Sequence, residues 1–270
     1  SKTPGHPEFD IDIGVETTTG PLGQGIGNAV GMALAEKMLA CRFNQDDGLK
    51  PIDHFTYTFL GDGCLMEGVS HEACSFAGTH GLGKLICFYD QNGISIDGEI
   101  TNWFTDNTLQ RFESYGWQVL EVDGHNVEET LEAIRIAQQD AVRPTLICCK
   151  TIIGFGSPNK SGTSGVHGAA LGEDEVKNTR DELGWEHEPF HIPDDIKSEW
   201  ECKDEGAKLN VSWDQLMMEY SKKHPKSFDE LTRVINNELP INFENSYRDF
   251  INELSAGDQK DLATRKASEL

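Results

Sequence analysis

Basic residues are scarce in this chain of 270: 23 lysines and arginines stand against 46 aspartates and glutamates, giving a formal charge of -23 at pH 7. The acidic excess runs through both halves and no basic cluster interrupts it. It reads as a solvated acidic surface, to which nucleic acid and anionic membranes are poor partners. Long apolar runs are also missing. No segment approaches the ~20 residues of a membrane span, and residues 1–20 lack the apolar stretch of a signal peptide. The seven cysteines, Cys41, Cys64, Cys74, Cys87, Cys148, Cys149 and Cys202, are odd in number and include no C-x-x-C pair. That argues against a zinc site or a disulfide frame, and the apolar company of LICCK points to reduced, buried thiols in a cytoplasmic protein. There are no repeats and no low-complexity tract. A nicotinamide fingerprint is absent as well, because Asn28 and Val30 stand where GQGIGNAVG would need glycine.

What is present is alternation. PLGQGIGNAVGMALAEKMLACRF has helical spacing and predicts a tightly packed helix from about Leu22 to Arg42, with Gly27, Gly31 and Ala35 on one face. HFTYTFL then reads as a strand, LMEGVSHEACSFAGTHG as one helix and LICFYD as a buried strand. TDNTLQRFESYG reads as a helix capped by Thr or Asp, WQVLEV as a strand, NVEETLEAIRIAQQD as an amphipathic helix and PTLICCK as a strand. Strands alternating with helices predict an α/β fold, a parallel sheet with helices on both faces. Beyond Lys150 comes the long loop TIIGFGSPNKSGTSGVHGAALG, longer than a mere connector. An acidic, helix-prone stretch follows. The expected division is a domain at 1–180 and a helical extension at 181–270.

Chemistry concentrates at the strand ends. Asp62 in TYTFLGDGCLMEG and Asn92 in LICFYDQNGIS each follow a predicted strand, thirty residues apart, which is one helix plus one strand. In an open parallel sheet, ligands bind beyond the carboxyl ends of the strands. A carboxylate, an amide oxygen and a backbone carbonyl are hard oxygen donors that hold Mg²⁺ while leaving room for phosphate oxygens. GDG and Asn92-Gly93 taken alone also read as ordinary turns.

GDG followed some thirty residues later by Asn resembles the metal–diphosphate motif of thiamine-diphosphate enzymes. Together with SKTPGHPE, GVETTTGPLGQG, GDGCLMEG, YDQNGISIDG, WFTDNT, KTIIGFGSPNKSGT and HGAALG it resembles the transketolase family along essentially the whole chain. The resemblance implies the thiamine-diphosphate-binding fold, here its diphosphate-binding domain. The implied reaction is transfer of a two-carbon ketol unit from a ketose phosphate to an aldose phosphate, in the pentose phosphate pathway.

The resemblance also implies roles. Asp62, Asn92 and the carbonyl of Ile94 would bind Mg²⁺, with Ca²⁺ or Mn²⁺ as substitutes. Gly63 and Asn92 would meet the diphosphate, and Gly20, Pro21 and Leu22 would line the aminopyrimidine. His167 would touch cofactor and donor sugar, and His6 would face the substrate near its reacting carbons. Arg265 would clamp the sugar phosphate, for which a guanidinium fork is suited. Glu67, by position a first-turn acid favoured by the helix dipole, would face a second copy of the chain in a homodimer; His71 reads as its structural neighbour. The family's activating glutamate belongs to a second domain beyond RKAS. This sequence, which begins without Met, is therefore expected to be a fragment or split subunit needing a complementary C-terminal half, and inactive alone. Dihydroxyacetone synthase, deoxyxylulose-phosphate synthase and a non-catalytic dimerisation or regulatory module are the competing readings.

Overall fold

A computed structural model describes residues 5–257 and 263–269, so the first four residues of SKTPGHPE lie outside the described part. The chain divides into two compact units, Ser1–Asn44 with Ile52–Cys202, and Gln45–Pro51 with Lys203–Leu270.

In the first unit helix α1 (Gln24–Phe43) leads to strand β1 (Thr56–Gly61), α2 (Asp62–Met66), α3 (Gly68–Thr79) and β2 (Leu85–Gln91). A small hairpin, β3 (Ile94–Ser95) with β4 (Gly98–Glu99), precedes α4 (Thr108–Ser114), β5 (Gln118–Asp123), α5 (Val127–Gln139) and β6 (Thr145–Lys150). The four long strands form one sheet in the order β1-β2-β6-β5, every pair parallel. β2 and β6 are central, and their sequences are almost continuously apolar because helices cover both faces.

Alternation along the strands separates two cores. Leu60, Leu85, Cys87, Tyr89, Leu146 and Cys148 pack with Ile26, Val30 and Ala33 of α1, with Cys74 and Ala77 of α3, and with Phe112 of α4. Ile86, Phe88, Ile147 and Cys149 turn the other way, towards Ala133 and Ala137 of α5. The α/β reading is thus realised, a parallel sheet with helices on both faces. At Gly78 the first core leaves no space: a Cβ there would come within 1.9 Å of the Tyr115 carbonyl oxygen.

Several local expectations give way. The buried face of α1 carries Ile26, Ala29, Val30 and Ala33, while Gly31 and Ala35 are exposed, so the small-residue stripe is not the packed one. The helix expected over LMEGVSHEACSFAGTHG is broken at Glu67, whose extended backbone (φ -74°, ψ 133°) separates α2 from α3. Asn107, rather than Thr or Asp, caps α4 by accepting from the Gln110 amide. The division expected at 180/181 falls inside the first unit. α6 (Glu173–Glu182) stays there because its buried Glu175 is bonded to Ser157 and Asn159, and α7 (Asp194–Trp200) follows.

The second unit is helical: α8 (Lys203–Lys223), α9 (Pro225–Ile235), α10 (Phe243–Ala256) and α11 (Thr264–Ala267). Met217 and Tyr220 of α8 and Leu231 of α9 are buried in it. The short segment Gln45–Pro51 joins it. Gln45 Nε2 donates to the Tyr220 hydroxyl, His224 Nε2 lies 3.1 Å from the Asp47 carboxylate, and the Trp213 indole donates to the Pro51 carbonyl. No helix among the described residues is long and apolar enough to cross a membrane.

The thiols divide by burial. Cys74, Cys87, Cys148 and Cys149 are buried, whereas Cys41 and Cys202 are exposed. Burial pushes the Cys74 and Cys148 thiols up to about 12 and raises those of Cys87 and Cys149. The thiolate is the reactive form. A chromogenic disulfide reagent at mildly alkaline pH is therefore expected to label Cys41 and Cys202 promptly in the native protein. The four buried thiols should appear only on unfolding in denaturant.

Candidate functional site

β1 and β2 are neighbours in register, Leu60 opposite Tyr89 and Gly61 opposite Asp90, so both chains leave the sheet at one edge. The residue after β1 is Asp62 and the residue after β2 is Asn92, which places the two polar side chains beyond adjacent carboxyl ends. Asp62 is only 3% exposed. Its Oδ1 accepts from the Tyr89 hydroxyl and its Oδ2 from the Gly93 amide, 2.9 Å away. Gly93 has φ +71°, a left-handed conformation that costs glycine little and turns its N–H back towards Asp62. Burial raises the Asp62 carboxyl above its ordinary value, against the pull of the hydrogen bonds from Tyr89 and Gly93.

Asn92 is held by its neighbours on both sides. Its Oδ1 accepts from the Ile94 amide at 2.9 Å, and its Nδ2 donates to Asp90 Oδ2 at 3.3 Å. Asp90 is in turn bonded to the Thr151 hydroxyl at the end of β6. Asp62, through the Gly93 amide, and Asn92, through the Ile94 amide, thus meet on the turn that follows β2.

The segment before α1 closes on this edge. A Cβ on Gly63 would lie 3.0 Å from Leu22 Cδ1, and one on Gly20 would lie 2.7 Å from the His6 ring. A Cβ on Gly23 would lie 2.6 Å from the Glu67 side chain. Glycine is what lets His6, Leu22 and Glu67 come so close. His6 thus abuts Gly20, Leu22 abuts Gly63 and Glu67 abuts Gly23, and Leu22 is left 53% exposed.

Compared with known proteins, residues 1–240 match the family described as transketolase, thiamine diphosphate binding domain. The chain belongs to the transketolase family. It is 56% identical over all 270 residues to transketolase 2 of Escherichia coli and 57% identical to transketolase 2 of Vibrio vulnificus, and it covers 40% of the length of each. Among solved structures, transketolase from Leishmania mexicana superposes with a TM-score of 0.88 at 39% identity, over all of this chain and 39% of that one. A Pichia stipitis transketolase in complex with sedoheptulose 7-phosphate gives 0.82 at 43% identity, over 86% of this chain and 35% of that one.

The transketolase thiamine-diphosphate-binding domain thus supplies the frame of the site, and the frame fits the cofactor. Among the described residues no three His, Cys, Asp or Glu side chains form a ready-made cation cage. Asp62, Asn92 and Ile94 offer three hard oxygens, a set that needs further oxygens from a ligand, as a diphosphate provides. Gly63 opens the backbone at the start of α2.

The remaining expected residues lie elsewhere. His167 is exposed in the loop after β6, and its amide donates to the Ser164 carbonyl. Arg265 is exposed on α11 in the second unit. His71 takes a structural place: its Nδ1 lies 2.9 Å from the Tyr115 hydroxyl and its Nε2 3.4 Å from Arg111, which also bonds Asp106 and the Leu65 carbonyl and so braces the end of α2.

Sequence reasoning missed Tyr89, Asp90, Gly93 and Thr151, which orient the side chains of Asp62 and Asn92. The D-x-N spacing of Asp90 and Asn92 was a readable signal; the Tyr89 contact needs the register of two strands. Tyr89→Phe removes the Tyr89 hydroxyl that donates to Asp62, so a loss of about 1–3 kcal/mol is expected in denaturant unfolding. Losing a donor to the ionised form raises the folded-state value of Asp62 further, so the destabilisation should be largest at high pH. It should shrink on acidification, as the carboxyl takes up a proton.

Proposed function

We propose that the full-length protein is a transketolase that moves a two-carbon ketol unit from a ketose phosphate to an aldose phosphate, and that this chain forms its cofactor-diphosphate half. The reading rests on one observation above others: Asp62 and Asn92 stand side by side beyond neighbouring parallel strands, in a chain matched by that family over residues 1–240. Mg²⁺ suits the oxygen donors of Asp62, Asn92 and Ile94, with Ca²⁺ or Mn²⁺ as substitutes. When bound, thiamine diphosphate supplies the electron sink that the cleavage of a carbon–carbon bond requires.

The work of the protein is placement and proton handling. Asp62, Asn92 and Gly63 hold the diphosphate end, while Gly20, Pro21 and Leu22 present a wall to the ring end. His6 and His167 supply imidazoles for proton exchange with the sugar hydroxyls. Arg265 carries the guanidinium expected to hold the substrate phosphate, a useful cation in a chain of charge -23.

Glu67 is exposed between α2 and α3, and the apolar side chains of Leu22, Ile96, Ile152 and Phe155 are between 49% and 70% exposed near the strand ends. Exposed apolar surface beside a site favours a covering partner. A second copy of the full-length chain, in a cytoplasmic homodimer of the pentose phosphate pathway, is that partner here.

In the full-length protein Asp62→Ala should abolish magnesium-dependent binding of thiamine diphosphate in titration calorimetry, because the diphosphate loses its bridging cation. Unchanged affinity overturns the assignment. His167→Ala should lower the ketol-transfer rate by about 10²- to 10⁴-fold. Its thermal unfolding should stay within about 0.5 kcal/mol of the parent, as for other exposed substitutions.

A further inference from the structure

Residues 151–172 run from the end of β6 to the start of α6 without α-helix or strand. Ordering such a loop is entropically costly, and its bonds show where the order comes from. The Gly162 amide donates to the Ile153 carbonyl at 2.8 Å, and Lys160 Nζ donates to the Leu171 carbonyl at 2.8 Å, so the part that carries His167 is closed at its neck. Outside that neck the loop is tied to α6. Glu175 Oε1 accepts from the Ser157 hydroxyl and from the Asn159 amide at 2.9 Å, and Oε2 accepts from Asn159 Nδ2 at 2.8 Å. Ser157 and Glu175 are 3% and 7% exposed, although the loop around them is open to solvent. Just past the end of α6, Leu183 abuts Gly156, where a Cβ would meet it at 2.6 Å.

We infer that Glu175 is a positioning residue for ketol transfer: by pinning Ser157 and Asn159 to α6 it fixes the loop that presents His167. The inference rests on the role given to His167 above. Three donors on one carboxylate are a strong commitment, since hydrogen bonds to an ionised acceptor are roughly twice as strong as neutral ones. Ser157 first, then Asn159 and Asn178, hold the Glu175 carboxyl down to about 2. The pin is fully formed above the ordinary carboxylate range and is lost only as pH falls towards that value, so it is a permanent frame rather than a switch. The bonds of Glu175 to Ser157 and Asn159 lie outside the sheet.

The test uses the full-length protein with thiamine diphosphate and Mg²⁺, comparing Glu175→Ala, Glu175→Asp, His167→Ala and the double variant Glu175→Ala/His167→Ala. Glu175→Ala should lower the ketol-transfer rate by about 10²-fold through misplacement of the loop. Hydrogen–deuterium exchange should rise in peptides covering 157–172, with β2 and β6 unchanged and cofactor affinity retained. Glu175→Asp, which keeps the carboxylate, should recover part of the rate. The double variant should be no slower than His167→Ala alone, because the two residues act in series. Unchanged exchange in 157–172, or rate losses that multiply in the double variant, overturns the inference. So does faster exchange throughout the sheet, which marks a merely structural role. The exchange measurement reads the pin whether or not the parent transfers ketol units, so failure of the functional reading shows separately, as an inactive parent with a released loop in Glu175→Ala.

Discussion

A carboxylate taken out of water must be compensated, and Asp62, 3% exposed at the end of β1, is the residue to which the surrounding structure answers. β2 lies beside β1 in parallel register, so Tyr89 reaches one of its oxygens and Gly93 the other. Asn92 is fixed between Ile94 and Asp90, and Asp90 is bonded to Thr151, so the ends of β2 and β6 also serve the orientation of two side chains. Even so, burial keeps the Asp62 carboxyl above its ordinary value. Two neutral donors do not fully offset desolvation, and the deficit is what a cation would repair.

The parallel sheet was legible because β2 and β6 are buried on both faces and so are apolar almost without interruption. The adjacency of Asp62 and Asn92 was legible for a related reason: one helix plus one strand fixes the distance in sequence between neighbouring carboxyl ends, so GDG and Asn92 announce themselves by spacing. What stayed hidden depends on contacts between distant segments. Tyr89 looks like another core aromatic until the register of β1 against β2 brings its hydroxyl to Asp62. Glu175 looks like a first-turn acid of α6, and only the folded loop reveals Ser157 and Asn159 on it. The break at Glu67 follows from backbone geometry, which a continuous helical period does not disclose. The outward stripe of α1 shows the same limit, since small residues at helical spacing tell that a face is smooth but not that anything lies against it.

The site is compatible with anionic substrates, as the proposed reaction requires of so acidic a chain. The charge of -23 is distributed along the sequence, while the elements around Asp62 work by amides, hydroxyls and glycine backbones. Phosphate recognition in the proposed reaction therefore falls to a bound cation and to single residues such as Arg265, not to a broad positive field.

The participation of Gln45–Pro51 in the helical unit has a topological consequence. The chain passes between its two units three times, after Asn44, after Pro51 and after Cys202. A single peptide-bond cut after Cys202 would free α8 from its covalent leader, yet Gln45, Asp47 and Pro51 would still hold Tyr220, His224 and Trp213 as a non-covalent clasp. Truncation at 202 would therefore leave residues 45–51, seven residues of the helical unit, on the remaining chain.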